Sequence, residues 1–184
     1  MKIEQNVERV LISAEELSAR IKELGAQITA DYKGEPLTIV CILKGAVMFF
    51  AELAKEIDLP LQMDFMRVSS YYAGTKSTGA VKILLDLDED ITGRHILLVE
   101  DIVDCGNTLA YLQDYLRNRG AKSVNICALL NKPARRRKDV HVNYAGFVIP
   151  DEFIIGYGLD YAEDYRNLPY IGVLKRSVYE KSDN

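Results

Sequence analysis

Tryptophan is absent from this chain of 184 residues, cysteine occurs three times and proline five. Three cysteines, an odd count without metal-ligand spacing, argue against a disulfide framework and against a structural zinc site. With five prolines and twelve glycines there is no Pro-, Gly- or Ser-rich linker long enough to separate domains, and no internal repeat or low-complexity tract. An excess of basic charge is missing too. Lys and Arg total 23 against 27 Asp and Glu, a formal charge of −4, which excludes a whole-surface field for nucleic acid while leaving room for a local patch. No apolar run approaches the ~18–20 residues that span a bilayer, and Met1-Lys2-Ile3-Glu4 does not open like a signal peptide. What is present, 48% hydrophobic and 27% charged residues, is the composition of a folded protein and excludes a disordered chain. The expectation is one cytoplasmic domain over residues 1–184 that does not enter a membrane.

The periodicity is that of alternating strands and helices. Ser13 followed by Glu16 is a capping-box signal, and Leu17, Ile21, Leu24 and Ile28 recur at helical spacing, predicting a helix from Ala14 to Tyr32. Apolar runs predict strands at Leu37–Leu43, Leu61–Val68, Val81–Leu87, Ile96–Val99, Ser123–Leu130, Tyr144–Val148, Phe153–Tyr157 and Tyr170–Leu174, with helices at Ala46–Ile57 and Thr108–Arg119. Such alternation points to an α/β fold with a central parallel sheet flanked by helices. Ser69–Ala80 is small and polar with two glycines, a composition that suits either a mobile loop closing over a substrate or a plain surface hairpin.

The most informative stretch runs from Ile96 to Leu109. A buried strand leads into Glu100 and Asp101, and a short turn through Asp104, Cys105, Gly106 and Asn107 opens the next helix at Thr108. In open α/β sheets ligands bind beyond the carboxyl ends of the strands. A helix N-terminus there offers unpaired N–H groups and a positive dipole end to a phosphate, Gly106 allows close backbone approach, and Thr108 adds a hydroxyl. The Gly-Lys-Ser/Thr of a nucleotide-binding P-loop is missing, and a dinucleotide fingerprint would not place two acids before the turn. Carboxylates repel phosphate, but they accept hydrogen bonds from a sugar diol and help hold hydrated Mg²⁺. The pattern describes a seat for a phosphorylated ribose; as bare chemistry it also fits a strand end with solvated acids.

This stretch resembles the phosphoribosyl diphosphate-binding motif of the type I phosphoribosyltransferases. Asp104 within the turn, together with Asn131-Lys132-Pro133 and the segment from Pro150 to Tyr161, is similar to the hypoxanthine-guanine branch. The resemblance extends from Val40 to Leu174 and implies a hood, formed by terminal segments and a mobile loop, over the sheet. It implies that Glu100 and Asp101 bind the ribose hydroxyls and support Mg²⁺, that Asp104 is the general base near purine N7, and that Cys105, Gly106, Asn107 and Thr108 seat the 5′-phosphate. Lys44 and Gly45 would contact diphosphate, with a non-proline cis bond between Leu43 and Lys44, and Arg166 would contact it as well. Phe153 would stack on the purine and the Ile154 carbonyl would accept from a 2-amino group. Asp160 closes this purine-side segment and would help hold metal on the diphosphate side. Ser70 and Tyr71 would belong to the closing loop. Implied partners are hypoxanthine, guanine and phosphoribosyl diphosphate, with Mg²⁺ as cofactor, a homodimer or homotetramer as the assembly, and no nucleic acid.

Lys132 also carries an argument of its own. An ammonium donates hydrogen bonds and accepts none, so it matches the 6-oxo group of hypoxanthine, guanine or xanthine and not the 6-amino group of adenine. Without the resemblance, Lys44 reads as a solvated strand end and Phe153 as core. Two positions depart from the pattern: Cys105 stands where the turn usually has Thr, and Asn107 where a longer side chain is usual. Cys105 is a small turn residue or, ahead of a helix, a more reactive thiolate. Arg135-Arg136-Arg137-Lys138 reads as a solvated loop, and His95 and His141 receive no role. An RNA-binding regulator on the same fold is the rival reading; such proteins lack counterparts of Asp104 and Lys132.

Overall fold

The computed structural model describes residues 3–73 and 76–180, with side chains described outside 70–80. In chain order the elements are β1 (Val7–Ile12), α1 (Ala14–Asp31), β2 (Leu37–Leu43), α2 (Val47–Glu56), β3 (Leu61–Ala73), β4 (Lys76–Leu85), β5 (His95–Val103), α3 (Asn107–Asn118), β6 (Ser123–Asn131), β7 (Tyr144–Val148), β8 (Ile154–Ile155), β9 (Ile171–Leu174) and α4 (Arg176–Tyr179). Six strands form one sheet in the order β4-β3-β2-β5-β6-β7. All its pairings are parallel except that of β4, which joins the edge antiparallel to β3. The central parallel sheet expected from the sequence is present, with one antiparallel strand added at its edge.

Strand alternation builds two cores. On β2 and β5, Ile39, Cys41, Leu97 and Val99 face α1 and α2, where Leu17, Ile21, Leu24, Ile28, Phe49 and Leu53 close the layer. Val40, Ile42, Ile96 and Leu98 point the other way, onto Leu109, Leu112 and Leu116 of α3. Both faces of these strands are thus apolar, which is why they read as continuous apolar runs. The capping box forms as expected: the Glu16 N–H donates to Ser13 Oγ and the Ser13 N–H to the Glu16 carboxylate. His95, at the opposite end of β5 from the acid pair, contacts Ser123 Oγ at 2.7 Å through Nδ1 and Glu35 at 3.1 Å through Nε2.

A second sheet is the hood. β1, which the sequence pattern did not reveal, pairs antiparallel with β9, and β9 pairs with β8. The Ser69–Ala80 segment is not an irregular loop along its length. β3 runs on to Ala73 and β4 begins at Lys76, so the backbone forms the two arms of a hairpin. Gly74 and Thr75 lie outside the described residues, as do the side chains of Ser70 and Tyr71 expected in the closing loop. Among the described residues no helix is long and apolar enough to cross a membrane.

Helix α1 approaches α2 at Gly25, where a Cβ would stand 2.5 Å from the Glu56 carbonyl oxygen. Gly25→Ala is therefore expected to force the helices apart and cost about 1–3 kcal/mol, read as a lower midpoint in urea denaturation. An unchanged midpoint would show that the helices separate freely.

Candidate active site

The site collects at the carboxyl ends of β2 and β5. Beyond Leu43 the peptide bond to Lys44 is cis, as the resemblance implied. Gly45 then presses on β5, where a Cβ at this position would lie 1.6 Å from Asp101 Oδ2. Gly158, at φ +101°, packs on Gly45 in turn, since its own Cβ would lie 1.9 Å from the Gly45 carbonyl oxygen. Glycine is required at both positions, at Gly158 by backbone conformation as well.

β5 continues past the expected end at Val99. Its pairing with β6 persists to Val103 opposite Asn131, so Glu100 and Asp101 are held on a strand and not in a loop. The chain then turns through Asp104 and Cys105 to Gly106, left-handed at φ +81°, and α3 begins at Asn107. No side chain caps this helix. Its first N–H groups face the turn as a seat for an anion. An open cleft of about 350 Å³ joins these parts; Lys44, Gly45, Glu100, Asp101, Asp104, Cys105, Gly106, Thr108, Asp160 and Arg166 all line it. Asn107 contributes to the turn but not to this lining.

Burial dominates the electrostatics of the acid pair. It raises Glu100 well above the ordinary carboxylate range, with the neighbouring Asp101 charge adding to the effect. Asp101 is also raised by burial, an effect offset in part by hydrogen bonding and by Arg166. Burial next to these acids pushes the Cys41 thiol up to about 12. Two desolvated carboxylates at one cleft wall are hard oxygen donors short of positive charge, and they fit a Mg²⁺ ion that completes its shell with water and substrate oxygens. Asp160 is already engaged: its Oδ1 pairs with Arg166 at 2.7 Å and its Oδ2 accepts from the Glu163 N–H.

The cations expected at the diphosphate are paired as well. Lys44 Nζ donates to Glu163 Oε2 at 2.7 Å, while Arg166 donates to the Gly158 carbonyl at 2.8 Å and reaches Glu163 Oε1 at 3.4 Å.

Lys132, Phe153 and Ile154 stand apart from the cleft lining. Lys132 is buried, and its Nζ donates to the Glu152 carbonyl at 2.8 Å and to Asp151 at 3.3 Å. Phe153 is not core: it is 39% exposed, stacked on Tyr179 at 4.9 Å and edge-on to Tyr161. Asp104 Oδ1 is buried and accepts no hydrogen bond among the described residues. The Arg135 guanidinium sits 3.3 Å from it and 3.6 Å from Asp151.

Comparison with known proteins agrees with this geometry. The phosphoribosyl transferase domain model matches residues 12–162. The chain belongs to the phosphoribosyl transferase family. It is 52% identical over 179 residues to the hypoxanthine-guanine phosphoribosyltransferase of Streptococcus mutans, covering 97% of this chain and 99% of that protein. Against the enzyme of the same name from Bacillus subtilis it is 53% identical over 178 residues, covering 97% and 99%. A solved hypoxanthine phosphoribosyltransferase of Staphylococcus aureus superposes with a TM-score of 0.95 at 49% identity, covering 98% of both chains.

In this phosphoribosyl transferase the basic run is exposed at Arg135, Arg137 and Lys138, as the sequence suggests, but Arg136 turns inward. Arg136 is half-buried and donates to the Asp104 carbonyl at 3.2 Å, to the Val140 carbonyl at 2.8 Å and to the Asn131 side chain. The N–H groups of Arg137 and Lys138 donate to the Cys105 carbonyl. This run is the buttress of the turn from Asp104 to Gly106, and a side chain at Gly106 would meet it at 3.1 Å. Glu163 and Arg135 are the other site residues that motif reasoning missed; both follow from the fold and have no local signal.

The raised acids have a consequence for stability. A carboxyl whose folded pKa lies above its unfolded value stabilises the fold at low pH, and that contribution is lost as pH rises through the folded pKa. Glu100→Gln cannot ionise, so without divalent cations it is expected to melt higher than the parent at about pH 8, the gain shrinking toward about pH 5. Each kcal/mol recovered corresponds to about 2–4 °C in a domain of this size. Identical melting curves at every pH would show that burying the pair costs nothing.

Proposed function

We propose that the chain is a purine salvage enzyme, transferring the phosphoribosyl group of phosphoribosyl diphosphate to hypoxanthine or guanine and giving IMP or GMP with release of diphosphate. One juxtaposition carries this reading: the half-buried Glu100–Asp101 pair, the Asp104 carboxylate and the uncapped N-terminus of α3 open into one cleft with Lys44 and Arg166. The names of relatives at about half identity over nearly the whole chain point the same way.

Each group has a task in the transfer. The α3 N–H groups, with Thr108, hold the 5′-phosphate, and the acid pair accepts the ribose hydroxyls. Glu100 and Asp101, with Asp160 on the same cleft, would hold Mg²⁺, which would supply charge neutralisation to substrate oxygens. Lys44 and Arg166 stabilise the charge that grows on the departing diphosphate as the sugar carbon gains oxocarbenium character. Asp104 takes the N7 proton as N9 attacks. Arg135 stands beside that carboxylate and keeps it oriented. The purine stacks on the Phe153 face turned away from Tyr179, with the Ile154 main chain toward its 2-position. Lys132 has spent two of its three donors on Asp151 and Glu152, and the third meets the 6-oxo group. The β3–β4 hairpin, with Ser70 and Tyr71, excludes water that would hydrolyse the activated sugar. The assembly is a homodimer or homotetramer.

The deciding experiment assays purine bases with phosphoribosyl diphosphate and Mg²⁺; no product from any 6-oxopurine would refute the proposal. Asp104→Asn keeps the shape of the turn and removes the base, so turnover is expected to fall roughly 10²–10⁴-fold with near-normal phosphoribosyl diphosphate binding. Undiminished turnover would remove Asp104 from the mechanism. An unpaired buried donor costs about 1–3 kcal/mol, which makes the expected preference for hypoxanthine over adenine roughly tenfold to a hundredfold. Lys132→Gln is expected to erode it, because a carboxamide offers either a donor or an acceptor. The check is kcat/KM for both bases in both proteins.

A further inference from the structure

We infer that Glu163 is an internal competitor of diphosphate, a carboxylate that occupies the two leaving-group cations when the site is empty and has to be displaced for diphosphate to bind. The inference rests on the proposal that Lys44 and Arg166 take the diphosphate. Both cations reach the one carboxylate, Lys44 at Oε2 and Arg166 at Oε1. They come from distant stretches of chain, brought together where Gly158 packs on Gly45.

The backbone is shaped to deliver this group. Ala162, Glu163 and Tyr165 have φ of 53°, 70° and 76°, left-handed values that side-chain-bearing residues adopt rarely. The Asp160 carboxylate holds the turn by accepting from the Glu163 N–H. The Glu163 carboxyl itself is exposed, so it can leave without unpacking a core. Asp160 remains on Arg166 Nη2, the nitrogen that Glu163 also reaches, so the swing frees Lys44 and leaves that nitrogen with one carboxylate in place of two. Diphosphate, with several negative charges, outcompetes one carboxylate for those donors, and the returning carboxylate assists departure of the product.

The pairs are solvent-exposed, which sets the scale: removing the competing charge is expected to tighten diphosphate binding roughly three- to tenfold. The test compares Glu163→Gln with the parent in Mg²⁺ buffer, reading the inhibition constant of inorganic diphosphate, the KM for phosphoribosyl diphosphate and the KM for hypoxanthine. The first two are expected to fall together while the third stays constant, a split that general loosening of the turn would not produce. In a Lys44→Met background, where one of the contested cations is gone, Glu163→Gln is expected to have a smaller effect. Diphosphate affinity that is unchanged or weaker in Glu163→Gln, while Lys44→Met weakens it, overturns the competitor role and leaves the diphosphate site standing. Diphosphate affinity indifferent to Lys44→Met overturns the site assignment and the competitor role with it.

Discussion

Three stretches of chain meet at the active site with no space for a side chain at either of the two glycines where they touch. Gly45 lies against the Asp101 carboxylate and Gly158 lies against the Gly45 carbonyl. The strand-end acids, the Leu43–Lys44 turn and the Arg166-bearing arm are thereby fixed in one stack. Adding a methyl at Gly158 would have to move backbone, since it meets a peptide oxygen, and adding one at Gly45 would displace the Asp101 carboxylate from its place in the cleft. The placement of Lys44 in the cleft lined by Glu100 and Asp101, and of Arg166 beside Asp160, depends on this contact.

Charge is then distributed against the gradient of burial. Negative groups sit deepest, on β5, where desolvation raises their pKa. Lys44 and Arg166 stand further out and are bridged by the exposed Glu163. A ligand that brings both cationic and anionic character, a phosphorylated sugar travelling with a divalent cation, satisfies each layer in turn. An ordinary anion meets favourable charge at the rim and repulsion at the floor. The depth profile selects a compound ligand where a single charge would select a simple one.

The elements that were legible in the sequence are those specified locally. The Ser13–Glu16 box, the apolar runs of β2 and β5 and the acid-acid-turn-helix sequence of residues 100–108 each encode their structure within about a dozen neighbouring residues, and the structure reproduces them. β1 was not legible, because Val7-Glu8-Arg9-Val10 has no alternation strong enough to mark a strand, and its partner β9 lies at the far end of the chain. The run from Arg135 to Lys138 looks like solvent-facing charge; only the fold shows Arg136 turned inward onto the Asp104 and Val140 carbonyls. Glu163 attracted no attention because its importance comes from a left-handed backbone, which no residue type there announces. The roles of Lys44 and Phe153 needed a family resemblance, since each alone fits a bland alternative.

The hood pairs Val7 with Leu174 and Ile12 with Ile171, so β1 is made long before its partner β9. The floor of the site, by contrast, uses β2, β5 and α3, all of which emerge earlier. A nascent chain can therefore assemble the α3 N-terminus and the acid pair while β1 is still searching, and long-range pairing of this kind is the slow step in forming a sheet. Order of synthesis thus favours a floor that is built before its roof, and a chain stalled before β9 would hold that floor uncovered.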